Sequence, residues 1–286
     1  MHPVISQMIL TQSGLILLVF PLHNAVILTC CAAGAESGHN LAAKSFFNTF
    51  DKSKMWLNHS YDYITAEQEA NFHNRTYDVA CMNEVIEKAN AEGCLVSYNH
   101  PVWSLQDYSD YIDLKGLWAI ELYNTGCARN GYLDSPKPLD ELLRKGENVF
   151  PLATDDAHKI VDCFGGFVMI NAEKLTYNDV FNSLKNGDFY ASTGPEFFEI
   201  SVENGVVKIV TSPVAFVGVS TACRHLFAKR SEREPFCEVS FDMGWHFDMV
   251  KNGENEHPYI RVTVADEFGN YAYSRAYFLD ELINND

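Results

Sequence analysis

The stretch Asp78–Pro101, DVACMNEVIEKANAEGCLVSYNHP, decides how the rest of the chain is read. Its apolar residues at 79, 82, 85, 86 and 89 recur at helical spacing, so one stripe of a helix faces a core. Gly93 closes that helix, and Cys94–Tyr98 follows at once as a short apolar strand tipped by Asn99-His100. Helix, glycine stop, apolar strand and polar tip together form the repeating unit of an α/β fold.

The unit recurs toward the C-terminus. Leu117–Tyr123 reads as a strand, Pro138–Lys145 as a helix stopped by Gly146, and Val149–Ala153 as a strand running into Thr154-Asp155-Asp156. Gly166–Ile170 is the next strand, and Thr176–Lys185 is a helix stopped by Gly187. Strands alternating with helices predict a parallel sheet or barrel with helices outside. After Gly194-Pro195 the pattern turns to strands and turns: 197–203, 206–211, 214–220, 236–242, 259–265 and 271–278, with one short helix around 222–232. The expected organisation is an α/β unit over residues 1–195 and a small antiparallel β-sandwich over 196–286.

Residues 14–33 (GLILLVFPLHNAVILTCCAA) admit two readings. Their length suits a membrane span, but Pro21, His23 and Asn24 interrupt the middle and no Lys or Arg precedes the run. Two buried strands, LILLVF and AVILTC, are the favoured alternative.

An apolar fraction of 47% over 286 residues supports a sizeable core. The formal charge of −17 repels phosphate backbones and argues against nucleic acid as a partner, though not against a small anion. The eight cysteines form no C-x-x-C pair, and most lie in apolar runs. Buried thiols in a reducing, cytoplasmic setting are expected.

Polar clusters fall just after three strands: Asn99-His100, Asn124, and Asp155-Asp156-His158. The carboxyl ends of parallel strands meet on one face, where sites are built. Carboxylate and imidazole together suit a divalent metal. Each residue also has a plainer reading. Asp155 or Asp156 can cap a turn, His158 can be a surface residue, and His100 can be a loop histidine held extended by Pro101. Glu121 can pair with a lysine or line the barrel wall.

In combination, N-H-P at 99–101, E-L-Y-N at 121–124, D-D-A-H at 155–158 and Y-A-S-T-G-P at 190–195 resemble the PHP superfamily of metal-dependent phosphoesterases. The CehA/McbA-like branch is the nearest in pattern, with Gly38-His39-Asn40 matching its G-H-N stretch. The resemblance implies a partial, distorted (β/α)7 barrel holding Mn, Zn, Fe or Mg. It implies His100, Asp156 and His158 as metal ligands, with His158 and His39 as catalytic groups. Asn99, Asn124, Asp155, Ser192 and Thr193 become the candidate substrate contacts. The chain departs from the family in lacking any H-x-H motif and the bridging glutamate of an early strand, so an N-terminally shortened member is expected.

Three functions follow. The first is hydrolysis of a small phosphorylated substrate by metal-activated water. The second is hydrolysis of a carbamate, amide or ester. The third is a catalytically degenerate binding protein.

Overall fold

The computed structural model describes the backbone of strands β1 (His2–Pro3), β2 (Leu17–Leu18) and β3 (Ile27–Cys30), and residues 78–91, 93–133, 135–157, 159–223, 226–252 and 257–283. Within the 14–33 stretch, β2 and β3 lie where the two strands were expected, and its remaining residues lie outside those described. Among the described residues, no helix is long and apolar enough to cross a membrane.

The α/β layer follows the sequence pattern closely. Helix α1 (Val79–Ala91) buries Met82, Ile86 and Ala89 of the expected stripe, and β4 (Leu95–Tyr98) follows it. Strands β5 (Ala119–Asn124) and β6 (Phe150–Thr154) continue the sheet, with short helices α2 (Tyr108–Tyr111), α3 (Thr125–Arg129) and α4 (Lys137–Arg144) in the connections. The sheet order is β2-β3-β4-β5-β6. Its β3 to β6 ladders are parallel, with β2 antiparallel at the edge.

Among the described residues the sheets are open, and the partial (β/α)7 barrel that the resemblance implies is not shown. The parallel ladder stops at β6, because β7 (Phe167–Ile170) leaves it and pairs antiparallel with β8 (Phe189–Ser192) across helix α5 (Tyr177–Asn186). A parallel return needs a crossover of about a dozen or more residues, usually helical. The loop from 155 to 166 holds only a single 3-10 turn, Ile160–Asp162. The fold is therefore mixed α/β, with one parallel layer and extensive antiparallel sheet.

Strands β7 and β8 join β9 to β16 in the rest of the molecule: Phe197–Glu203, Val206–Val214, Phe216–Thr221, Leu226–Arg230, Phe236–Asp242, Tyr259–Ala265, Tyr271–Tyr273 and Tyr277–Phe278. The larger sheet has the order β1-β7-β8-β15-β14-β11-β12, with β16 on β14, so it includes strands from both sides of residue 195. The smaller one, β13-β10-β9, packs its face onto it. Val207, Ile209 and Val239 meet Val217, Val219, Val262 and Val264, all buried, in the core between the sheets. The helix expected near 222–232 is instead β12, the hairpin partner of β11. A helix that the periodicity did not signal, α6 (Gly244–Lys251), follows β13. A last turn of helix, α7 (Leu279–Ile283), ends the described chain.

Two contacts tie the layers together. Ile86, Ile120, Leu139, Leu142 and Leu143 share one core with Tyr259 and Tyr273 of the antiparallel sheet. Arg261 on β14, almost fully buried, grips Asp140 of α4 with two hydrogen bonds of 2.7 Å. The Tyr259 hydroxyl donates to the same carboxylate at 3.0 Å.

Candidate functional site

The carboxyl ends of β4, β5 and β6 bring a set of buried polar side chains together. Glu121 lies at its centre, 2% exposed between the apolar Ile120 and Leu122 of β5. The β5–β6 register shifts between Glu121 and Tyr123, so Leu122 is an extra residue in the ladder. Such a bulge re-aims the side chains beyond it. Glu121 and Asn124, three apart, can then share a face that strict alternation would deny them.

Glu121 is held by donors from each neighbouring strand end. The His100 amide donates to Oε2 at 2.7 Å, Asn124 Nδ2 donates to the same oxygen at 3.2 Å, and the Thr154 hydroxyl donates to Oε1 at 2.6 Å. Asn124 Nδ2 also reaches Asp156 Oδ2 at 3.3 Å, so one amide links the two carboxylates. Asn124 Oδ1 accepts from the Cys127 amide and caps α3, which fixes the side chain's orientation. Burial pushes the Glu121 carboxyl up to about 7, and the charge of Asp156 adds to the effect. The hydrogen bonds from Thr154, Asn124 and the His100 amide oppose it.

His100 departs from the extended conformation expected before Pro101, with φ at +33°. Hydrogen bonds on both sides of the residue override the preference. Its amide goes to Glu121, and its carbonyl accepts from the Ser104 amide at 3.0 Å. The Ser104 hydroxyl meets His100 Nδ1 at 2.9 Å, so any ligation or proton exchange by this ring goes through Nε2. Trp103 lies edge-on to the imidazole, with centroids 5.0 Å apart. Asp156 is also left-handed, at φ +45°.

Asp155 organises the loop that carries Asp156. Its carboxylate accepts from the amides of Phe164, Gly165 and Gly166 at 2.6, 2.9 and 2.9 Å, and from the Thr125 hydroxyl at 2.8 Å. A Cβ on Gly165 would meet the Thr125 side chain at 2.5 Å, and one on Gly166 would meet the Thr154 carbonyl oxygen at 2.5 Å. The two glycines are what let the chain approach this closely.

The structure thus gathers His100, Glu121, Asn124 and Asp156, with Asp155 beside them as an anchor whose oxygens are occupied. Asn99 is buried next to His100. Its Oδ1 accepts from Ser97, and its Nδ2 has no hydrogen-bond partner among the described residues. Ser192 and Thr193 bond within the β8–β15 region. Ser192 Oγ donates to the Pro195 carbonyl and accepts from the Gly194 amide, and Thr193 pairs with Tyr271. His39 and His158 lie outside the described residues. Among the described residues, no three His, Cys, Asp or Glu side chains form a group able to hold a metal ion.

Ser104, Thr125 and Thr154 are missing from the site expected from sequence, and Glu121, weighed there beside Asn124, has no assigned role in it. Glu121 carried a signal, an acid inside the apolar run Ala119–Leu122, but only the bulge gives it its role. Compared with known proteins, the chain matches no family model, no curated protein and no solved structure.

Proposed function

We propose that the chain is a divalent-metal-dependent hydrolase of PHP type, acting on a small phosphorylated ester. The observation that supports this reading is a buried histidine and two buried carboxylates carried at the ends of successive parallel strands and joined by hydrogen bonds through the His100 amide and Asn124. Acid and imidazole donors fit Mn, Zn, Fe or Mg. His100 through Nε2, Asp156, and His158 two residues further on would hold the ion. Bound there, it supplies Lewis acidity toward the phosphoryl oxygens and activates water.

The chain's own residues have distinct tasks in this reading. Glu121 positions His100 through its amide and Asp156 through Asn124. Ser104 fixes the imidazole, as partners of metal-ligating histidines generally do. Asp155 shapes the loop that presents Asp156. Buried Asn99, whose Nδ2 has no partner among the described residues, offers a donor to an ester oxygen, and His39, the catalytic histidine of the resemblance that is not also a ligand, would protonate the leaving group.

The test is a Mn and Zn titration of chelator-stripped protein against a panel of phosphomonoesters, with Asp156→Ala alongside. Metal binding and hydrolysis should appear together in the parent and vanish together in the variant. Full activity in stripped protein, or in Asp156→Ala, refutes the reading. A second reading, a degenerate binding protein, is favoured by the lack of a three-donor group among the described residues. Less than a small fraction of one metal per purified chain, with no uptake of added Mn or Zn, would select it.

A further inference from the structure

The loops leaving β4, β5 and β6, the strands whose ends carry the buried polar cluster, expose large apolar side chains to solvent. They include Trp103 and Leu105 after β4, Tyr132 and Leu133 after β5, and Ile160 and Phe164 after β6, these six exposed by 40% for Tyr132 to 90% for Ile160. Scattered exposed hydrophobes are ordinary, but a concentration in the loops that leave one polar cluster is not.

Backbone geometry singles out the same loops. Five described non-glycine residues have clearly positive φ, and four of them, His100, Leu105, Asp156 and Phe164, lie here. The fifth, Asn204, occupies a hairpin turn, where asparagine tolerates that conformation. Leu105 and Phe164, at φ +54° and +69°, are bulky residues for which it is strained. They are 72% and 77% exposed, so burial of their own side chains does not compensate. Strain of this kind persists where surrounding contacts impose it, and it collects at functional sites. Both loops connect directly to the polar cluster. Trp103 packs against His100, and the Phe164 amide is bound by Asp155.

We infer that these loops form an apolar collar that receives the non-reacting part of the substrate, so that the ester cleaved is a phosphomonoester of a bulky apolar alcohol. Trp103, Leu105 and Phe164 are its specificity-determining residues. The inference rests on the hydrolase reading above.

A matched pair of esters tests it: 3-phenylpropyl phosphate and 3-hydroxypropyl phosphate, which differ only at the far end of the alcohol. With Mn present, kcat/KM should favour the phenyl ester by roughly tenfold or more, the scale of discrimination that an apolar contact provides. In Leu105→Gly and Phe164→Gly the ratio should fall toward one, while Tm holds or rises because glycine relieves the strain. Loss of Tm with an equal fall on both esters would show a merely structural role and overturn the collar. Equal kcat/KM on the two esters in the parent also overturns it and leaves the hydrolase reading standing. If neither ester is hydrolysed, the phosphomonoester panel judges the hydrolase reading and calorimetric titration with 3-phenylpropyl phosphate judges the collar. Saturable binding weakened about tenfold in Phe164→Gly supports it, and no binding overturns it.

Discussion

Replacing Asp140 by alanine should destabilise the protein far more than its place on a short surface helix suggests. The substitution removes two charge-assisted hydrogen bonds from Arg261 and one from Tyr259. The guanidinium it abandons is 3% exposed and keeps only the 2.7 Å bond from Nη1 to the Thr263 hydroxyl. Breaking a buried pair by removing one partner costs about 3–5 kcal/mol. Asp140 is itself 22% exposed, so some water can reach the vacated carboxylate position, which places the expected loss near 3 kcal/mol. At 2–4 °C per kcal/mol, Tm should fall by about 6–12 °C. The double variant Asp140→Leu with Arg261→Met replaces the pair by apolar groups and should cost about 1 kcal/mol or less. Urea and thermal unfolding of the parent, Asp140→Leu, Arg261→Met and the double variant close a thermodynamic cycle with a coupling of about 2 kcal/mol or more. A loss below about 0.5 kcal/mol in Asp140→Ala, or additive single effects, would refute the view that this pair clamps the two layers.

Three further outcomes are expected. In metal-free protein, Glu121 has a folded pKa near 7 against an ordinary 4.5, so between those values the folded state holds a proton that the unfolded state releases. Stability should therefore fall as pH rises from about 4.5 through 7, by about 3 kcal/mol in all. Urea melts across that range should show a flatter slope in Glu121→Gln, and parallel slopes would dismiss the assignment. Asp155→Ala strands the amides of Phe164, Gly165 and Gly166 and should cost about 2–4 kcal/mol. Hydrogen exchange should speed up at those residues first, and unchanged protection there would count against the anchoring role. Gly166→Ala forces a Cβ against the Thr154 backbone and should cost about 1–3 kcal/mol by thermal melt, whereas Gly131→Ala, with no atom near the added Cβ, bears only the strain of its left-handed φ.

The local pattern was legible in the sequence wherever one face of an element meets a core. The stripe at 79–89, the strand at 95–98 and the glycine stops all appear in place, because burial is written into residue type at a fixed period. Long-range pairing left no such mark. Phe167–Ile170 is as apolar as a central parallel strand, but the connection before it carries a single 3-10 turn in place of a crossover helix, and the strand pairs in the antiparallel sheet. The site shows the same division. His100 and Asp156 are recognisable as residue types after strands, and the structure places both near Glu121. The bulge that turns Glu121 and Asn124 onto one face depends on register with β6, which no single segment encodes. The hydrogen bonds that give His100 a left-handed backbone, from its amide to Glu121 and to its carbonyl from the Ser104 amide, span 21 and 4 residues of the chain, so the proline rule alone misjudged it.

The sheet order β7-β8-β15-β14 bears on how the molecule is assembled during synthesis. Strand β8 waits for residues 271–273 to gain its second neighbour, and the core of the parallel layer waits for Tyr259 and Arg261. A nascent chain that has emerged only to residue 195 therefore presents an unpaired strand edge and an uncovered apolar face, the features that recruit chaperones or invite association between chains. Cutting the gene at that point should yield an aggregating fragment, and the last thirty residues act as the closing piece for everything made before them.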